Sequence, residues 1–193
     1  ESLRKLQTDY IDLLLIHQPF SDYYGTWRAM EEAYKVGKLR AIGVSNFYPD
    51  RFIDLAEFSE IPPMVNQVET HVFNQQIEAQ KIMEQYSTHI MAWGPFAEGR
   101  NNFFGNETLI AVGAKYNKSA AQTALRYLIQ RGVIVIPKSV RKERMEQNIN
   151  VFDFTLSDKD MQRISQLDLR QSLFFSHYDP QTVKWLCNYG KNK

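Results

Sequence analysis

A single cysteine, Cys187, in a chain of 193 residues leaves no intrachain disulfide to form. A reducing, cytoplasmic setting is the simplest expectation. Long hydrophobic runs are missing too. The apolar stretch near the N-terminus, residues 11–16, is too short to cross a bilayer or to serve as a full signal core. Neither sign of charge prevails, with 23 basic and 22 acidic residues and a formal net charge of +1. That balance gives no reason to expect nucleic acid or an anionic membrane as a partner. No G-x-G-x-x-G opens a helix after a strand, which weakens an open Rossmann-type sheet. Nothing in the chain reads as an interdomain linker, so residues 1–193 are expected to form one domain, with a tail from residue 170. The chain opens at Glu1, without methionine, and is expected to be a portion of something longer.

What is present is a repeating pattern. Short apolar runs predict strands at residues 11–16, 41–44, 64–69, 89–93 and 133–136. Helical patterns follow at 27–36, 49–58, 76–86, 107–115, 120–130 and 142–150, with the end of another helix at 2–7. Ala29, Met30, Ala33 and Tyr34 are available to the inner face of the helix at 27–36, which Gly37 ends. Ser157 with Asp160 forms a capping-box pattern for a helix to about residue 167, and Asp179-Pro180 starts a short one through 186. Strands separated by helices pair in parallel through crossover connections. Residue types suited to chemistry stand at the C-terminal end of all five predicted strands, which favours part of a closed barrel, whose functional rim is formed by those ends.

The segment GKLRAIGVSNF, residues 37–47, leads from a turn glycine through an apolar run to Ser45-Asn46. The run has the pattern of a strand buried on both faces. The segment resembles a signature of the aldo-keto reductases, NADP(H)-dependent enzymes built on a (β/α)8 barrel. Four further segments match in order, among them LQTDYIDLLLIHQP and IPKSVRKERMEQN. The resemblance implies that the five strands are the fourth to eighth of the barrel and that the first three units are absent.

Several residues admit two readings. His17 at the end of a strand suits a satisfied structural group or a catalyst. By resemblance it donates a hydrogen bond to the substrate carbonyl, while Gln18 stands where many members carry tryptophan. Ser45 and Asn46 suit the turn into the next helix; by resemblance they and Gln67 bind the nicotinamide carboxamide, a group offering donors and an acceptor. Trp93 matches the aromatic position that stacks on the nicotinamide, where tyrosine is common. Gly94 and Phe96 match the segment folding over the cofactor pyrophosphate, and a carboxylate there, Glu98, needs a cation such as Arg100. Lys138, Arg141, Lys142 and Arg144 cluster at a helix start, which suits a solvated basic face or a phosphate site. By resemblance Lys138, Ser139 and Arg144 hold the 2′-phosphate, with Val140 and Arg141 in the same segment. Gln147 and Asn148 approach the adenine. Arg141 and Gln147 depart from the commoner residues.

Glu69 and His71 share one face of a strand, yet no further ligand cluster accompanies them and a metal site is not expected. Phe174, Phe175, Tyr178 and Trp185 border the substrate site or pack on the barrel. By resemblance a tyrosine protonates the carbonyl oxygen and a lysine and an aspartate adjust that tyrosine, and all three lie in segments this chain does not match. The expected function is therefore NADPH-dependent reduction of aldehydes or ketones by the complete protein, this chain alone being inactive. The alternative is a non-catalytic NADP(H)-binding or redox-sensing module. The expected partner is a small carbonyl compound, with no nucleic acid or membrane, and the complete protein is expected to be a monomer or weak dimer.

Overall fold

The computed structural model describes residues 1–189. In chain order the elements are α1 (Ser2–Leu6), β1 (Leu14–Ile16), α2 (Tyr23–Lys35), β2 (Ile42–Ser45), α3 (Pro49–Glu57), β3 (Val65–Glu69), α4 (Ile77–Glu84) and β4 (His89–Trp93). They continue with two 3-10 turns (Ala97–Gly99 and Phe103–Gly105), α5 (Glu107–Ala114), α6 (Ala120–Gln130), β5 (Ile134–Val135), α7 (Lys142–Ile149), α8 (Asp158–Ser165) and α9 (Pro180–Asn188). The alternation of strand and helix is the one the sequence predicts. Two compact units result. The first comprises Glu1–Val68, Glu78–His89 and the tail from Phe175; the second comprises Glu69–Ile77 and Ile90–Phe174.

In the first unit β1, β2 and β3 run parallel in that order, with Leu15 opposite Gly43 and Gly43 opposite Val65. All four residues of β2 are buried. Gly43 is what permits this density: a Cβ there would lie 2.5 Å from the Val65 carbonyl oxygen and 2.7 Å from a Leu15 methyl. Strand β1 is shorter than predicted, because Ile11 forms only an isolated bridge to Leu39. Helix α2 starts four residues before its predicted position, where the Asp22 carboxylate accepts the Gly25 N–H at 2.8 Å. Its buried stripe is Trp27, Met30 and Glu31, the i, i+3, i+4 spacing of a core-facing helix. Ala29, predicted on the inner face, is exposed. Trp27 is 1% exposed, and its indole N–H donates to the Ile61 carbonyl at 3.1 Å.

In the second unit β4 and β5 are parallel, Met91 opposite Ile134. Helix α6 is the core helix, burying Leu125, Tyr127 and Leu128 among others. Ser119 and Gln122 form a reciprocal capping box at its start. Helix α8 behaves otherwise. Its Ser157 hydroxyl accepts the Asp160 N–H, but the Ser157 N–H donates to the Tyr116 hydroxyl, and the Asp160 carboxylate takes Lys115, Tyr116 and the Ser157 hydroxyl instead. The predicted capping box is therefore half present.

Strands β1 and β5 differ from the fully buried pattern. Leu14 and Ile134 are 38% and 39% exposed, and among the described residues each strand has one neighbour, leaving an open edge.

Candidate functional site

The strand ends of the first unit carry His17, Ser45, Asn46 and Gln67. Strand β2 ends at Ser45, whose hydroxyl donates to the Gln67 carbonyl at 2.9 Å. Asn46 follows in a left-handed conformation, φ 61°, which short amides tolerate. Its N–H donates to the same Gln67 carbonyl at 2.9 Å, and its side-chain amide donates to the Ser45 hydroxyl at 3.2 Å and the His17 carbonyl at 3.4 Å. These bonds tie the ends of β1, β2 and β3 together. Ser45 is fully buried and Asn46 nearly so, while Gln67 is half-buried and the His17 imidazole exposed. The turn-like and the ligand-binding readings of Ser45-Asn46 thus share one geometry.

The second unit contains a cavity of about 310 Å³, lined by Phe96, Phe104, Ser119, Ala120, Ala121, Lys138, Ser139, Arg144, Gln147 and Asn148. Six of the sequence-predicted residues meet here. Helix α7 presents Arg144, Gln147 and Asn148 at spacings of three and four, one helical face. No residue of α7 is buried and no side chain caps its start at Arg141. The first-turn N–H groups are therefore left to water or to a ligand. Ser139 accepts the Arg141 N–H at 3.1 Å, which shapes the turn entering the helix. Among the described residues Lys138 and Arg144 have no carboxylate partner. Two unpaired cations, a hydroxyl, two amides and two phenyl rings suit a planar base carrying a phosphate, and the volume falls in the usual range for ligand sites. Val140 and Arg141 do not line the cavity. Val140 is 80% exposed, and Arg141 at the N-cap is exposed too.

The wall that sequence reading missed is Phe104 with Ser119, Ala120 and Ala121. The S-x-x-Q spacing of Ser119 and Gln122 was the available signal for a helix start at that wall. Phe104 is held in a ring cluster with Phe96 and Phe103, at centroid distances of 5.8 and 5.2 Å, and Phe103 is completely buried.

Trp93 and Gly94 stand apart from this cavity's lining. Both neighbour Phe174: its ring lies 5.1 Å from the indole at 67°, and a Cβ on Gly94 would come 3.8 Å from it. Glu98 is exposed and has no ion pair with Arg100 among the described residues. Arg100 turns instead to the tail, donating to the Leu173 carbonyl at 2.6 Å.

The chain is similar to known proteins in sequence and fold. Residues 1–169 match the aldo/keto reductase family. The chain belongs to that family. Glyoxal reductase of Bacillus subtilis is 46% identical over 169 residues, which is 87% of this chain and 60% of that protein. The 9,11-endoperoxide prostaglandin H2 reductase of Trypanosoma cruzi is 42% identical over 165 residues, covering 84% of this chain and 58% of its own length. Among solved structures, MGS-M4, an aldo-keto reductase from a Medee basin deep-sea metagenome library, superposes with a TM-score of 0.87 at 41% identity, covering 92% of this chain and 66% of that one. The Bombyx mori aldo-keto reductase AKR2E4 in complex with NADP gives 0.84 at 37% identity, over 95% and 64%. The fold class is thus the α/β barrel of the aldo-keto reductases. The chain spans about 60% of the length of the curated relatives it matches and lies within the family up to residue 169.

Other charged groups of this aldo-keto reductase chain have structural partners. Glu69, nearly buried, accepts from Ser172, from the Leu173 N–H at 2.9 Å and from His71 at 3.0 Å. The His71 Nδ1 accepts the N–H groups of Phe73 and Asn74, so its proton is on Nε2, facing Glu69. Burial pushes the Glu69 carboxyl up, but those donors outweigh it and hold the group below its ordinary value. The pair that invited a metal reading is thus bound to protein donors. In the tail of the first unit, His177 Nε2 meets Gln18 Oε1 at 2.8 Å, and burial, then the charge of Arg51, lowers its pKa to about 4. Gln18, the departure from tryptophan, is thereby engaged by the tail. Tyr24 and Tyr178 are pushed up to about 12 by burial and by hydrogen bonds to Asp54 and Asp50. Tyr86 is raised through Glu57 and Tyr127 by burial. Raised values make these phenols poorer acids. Among the described residues no helix is long and apolar enough to cross a membrane.

Proposed function

We propose that this chain is the cofactor-binding portion of an NADP(H)-dependent carbonyl reductase, a cytoplasmic oxidoreductase in its complete form. The observation that carries the reading is the cavity of the second unit, where Lys138, Ser139 and Arg144 stand with Gln147, Asn148 and two phenyl rings. Arg144 and Lys138 would hold a 2′-phosphate, with Ser139 as an additional donor, and the amides would meet the adenine edge. Trp93 would stack on the nicotinamide, and Ser45, Asn46 and Gln67 would orient its carboxamide. His17, exposed at the end of β1, would donate to the substrate carbonyl. When bound, NADPH supplies the hydride that reduces a carbonyl carbon, and the oxygen takes a proton. The Bacillus and Trypanosoma relatives named as reductases and the NADP complex of the Bombyx protein support the same reading. A small aldehyde or ketone is the proposed substrate class, and the proposed assembly is a monomer or weak dimer.

Each tyrosine with a displaced pKa is displaced upward, so none of these four is assigned as proton donor. Residues 1–193 should bind NADPH, prefer it to NADH and leave its absorbance unchanged in the presence of glyoxal and a panel of aldehydes and ketones. Equal affinity for the two cofactors, measured by fluorescence titration, would refute the 2′-phosphate assignment. Steady NADPH consumption would show that an acid within this chain completes the reaction.

A further inference from the structure

Residues 172–174 are held within the second unit by hydrogen bonds, a cation–π contact and ring packing. The Glu69 carboxylate accepts the Ser172 hydroxyl at 2.5 Å and the Leu173 N–H at 2.9 Å. The Arg100 guanidinium donates to the Leu173 carbonyl at 2.6 Å and lies 4.2 Å over the centre of the Phe174 ring. The Ser172 hydroxyl also accepts the Phe174 N–H at 3.0 Å. His71, fixed by its own bonds to Glu69, Phe73 and Asn74, stands behind Glu69 with its ring 6.4 Å from Phe174. A carboxylate thus holds Ser172 and Leu173, and a guanidinium holds Leu173 and Phe174. Charge-assisted bonds of this kind are the strong ones.

The end of this chain of contacts is Trp93. The Phe174 ring meets the indole at 5.1 Å and 67°, the edge-to-face arrangement that aromatic quadrupoles favour. This indole stands at the end of β4 and is half-buried. We infer that Phe174, held under Arg100 and tied through the Ser172 hydroxyl to Glu69, is a positioning residue that helps fix the Trp93 ring for the nicotinamide. This rests on the proposed cofactor reading and deepens it, since it concerns the nicotinamide end and leaves the phosphate cavity untouched. Ordering the ring during folding removes that cost from binding, which is preorganisation. Phe174 acts through Trp93 and is not itself catalytic. Arg100 owes its place to this strap and not to the cofactor phosphates.

The test uses two ligands that differ at the relevant end, NADP⁺ and adenosine 2′,5′-bisphosphate, titrated by isothermal calorimetry. Phe174→Ala should weaken NADP⁺ about three- to tenfold, the range for losing one aromatic pair, and leave the bisphosphate within about twofold. Phe174→Tyr should restore NADP⁺ affinity, and Arg100→Met should weaken NADP⁺ in the same direction without touching the bisphosphate. The unchanged bisphosphate affinity also reports that each variant is folded. Unchanged NADP⁺ affinity in Phe174→Ala and Arg100→Met would overturn the inference, as would equal losses for both ligands. Failure of the unsubstituted protein to bind the bisphosphate is a different result: it removes the cofactor reading, and the inference with it.

Discussion

Arg144 and Arg141 lie three residues apart, and charge alone does not separate them. The structure does. Arg144 lines the cavity beside Lys138 and Ser139, whereas Arg141 is the N-cap of α7 and lies outside the lining. Arg144→Ala should therefore remove a hydrogen-bonded charge from a bound 2′-phosphate, and Arg141→Ala only a nearby one. A hydrogen bond to a charged group contributes about 1.5–3 kcal/mol. Arg144 is exposed, so its removal leaves no buried orphan and the loss should fall at the low end, about 10- to 30-fold in affinity. Arg141→Ala should cost less than about threefold at physiological salt, because screening weakens a charge that makes no direct contact.

Calorimetric titration with adenosine 2′,5′-bisphosphate and with 5′-AMP checks this directly. The bisphosphate should lose affinity in Arg144→Ala while 5′-AMP, lacking the 2′-phosphate, should be nearly indifferent. Raising the salt should shrink the Arg141 effect more than the Arg144 effect. If 5′-AMP suffered as much as the bisphosphate, Arg144 would not address the 2′-phosphate. If Arg141→Ala were the more damaging change, the anion would sit at the start of α7 and the cavity assignment would be wrong.

Two stability predictions follow from the packing. Gly43→Ala places a methyl against the Val65 backbone oxygen and a Leu15 methyl. A clash with backbone cannot be relieved by a rotamer change, so a loss of about 1–3 kcal/mol is expected, read as a lower urea midpoint; an unchanged midpoint would refute the close approach. For Asp160, burial raises the carboxyl pKa, but hydrogen bonds from Lys115, Ser157 and Tyr116 prevail and hold it at about 2. The folded state therefore releases this proton more readily than the unfolded chain. Its contribution is present above the ordinary carboxylate value near 4 and is lost as pH falls toward 2. Asp160→Asn should flatten that part of the stability–pH profile, and an identical slope in the variant would show that other carboxylates govern acid unfolding.

The elements that sequence reading placed well are those with local signatures. Strand β4 and helix α6 occupy the predicted residues, because an apolar run or a helical period is bounded by clear turn residues. The start of α2 was missed because Tyr23, Tyr24, Gly25 and Thr26 carry no helical signal, and only the Asp22 cap makes the start there. The exposure of Leu14 and Ile134 was not legible as residue type, since their apolarity is unchanged whether or not a neighbouring strand covers them. In the candidate site, the resemblance in residues 136–148 singled out Lys138, Ser139, Arg144, Gln147 and Asn148, yet grouped Arg141 with them. A run of basic residues does not say which side chains share a helix face with a cavity. Phe104 and Ala121 were invisible for the opposite reason: phenyl and methyl groups form walls only through their surroundings. The tail shows the limit most sharply. Arg100 bonds to Leu173 across 73 residues and Glu69 to Leu173 across 104, and no spacing rule reaches so far. The same separation gives the strap its consequence, because it joins strand ends and tail that chain proximity would never hold together. Arg100 read from the sequence as the cation that Glu98 would need, and its folded partners are a carbonyl and a phenyl ring.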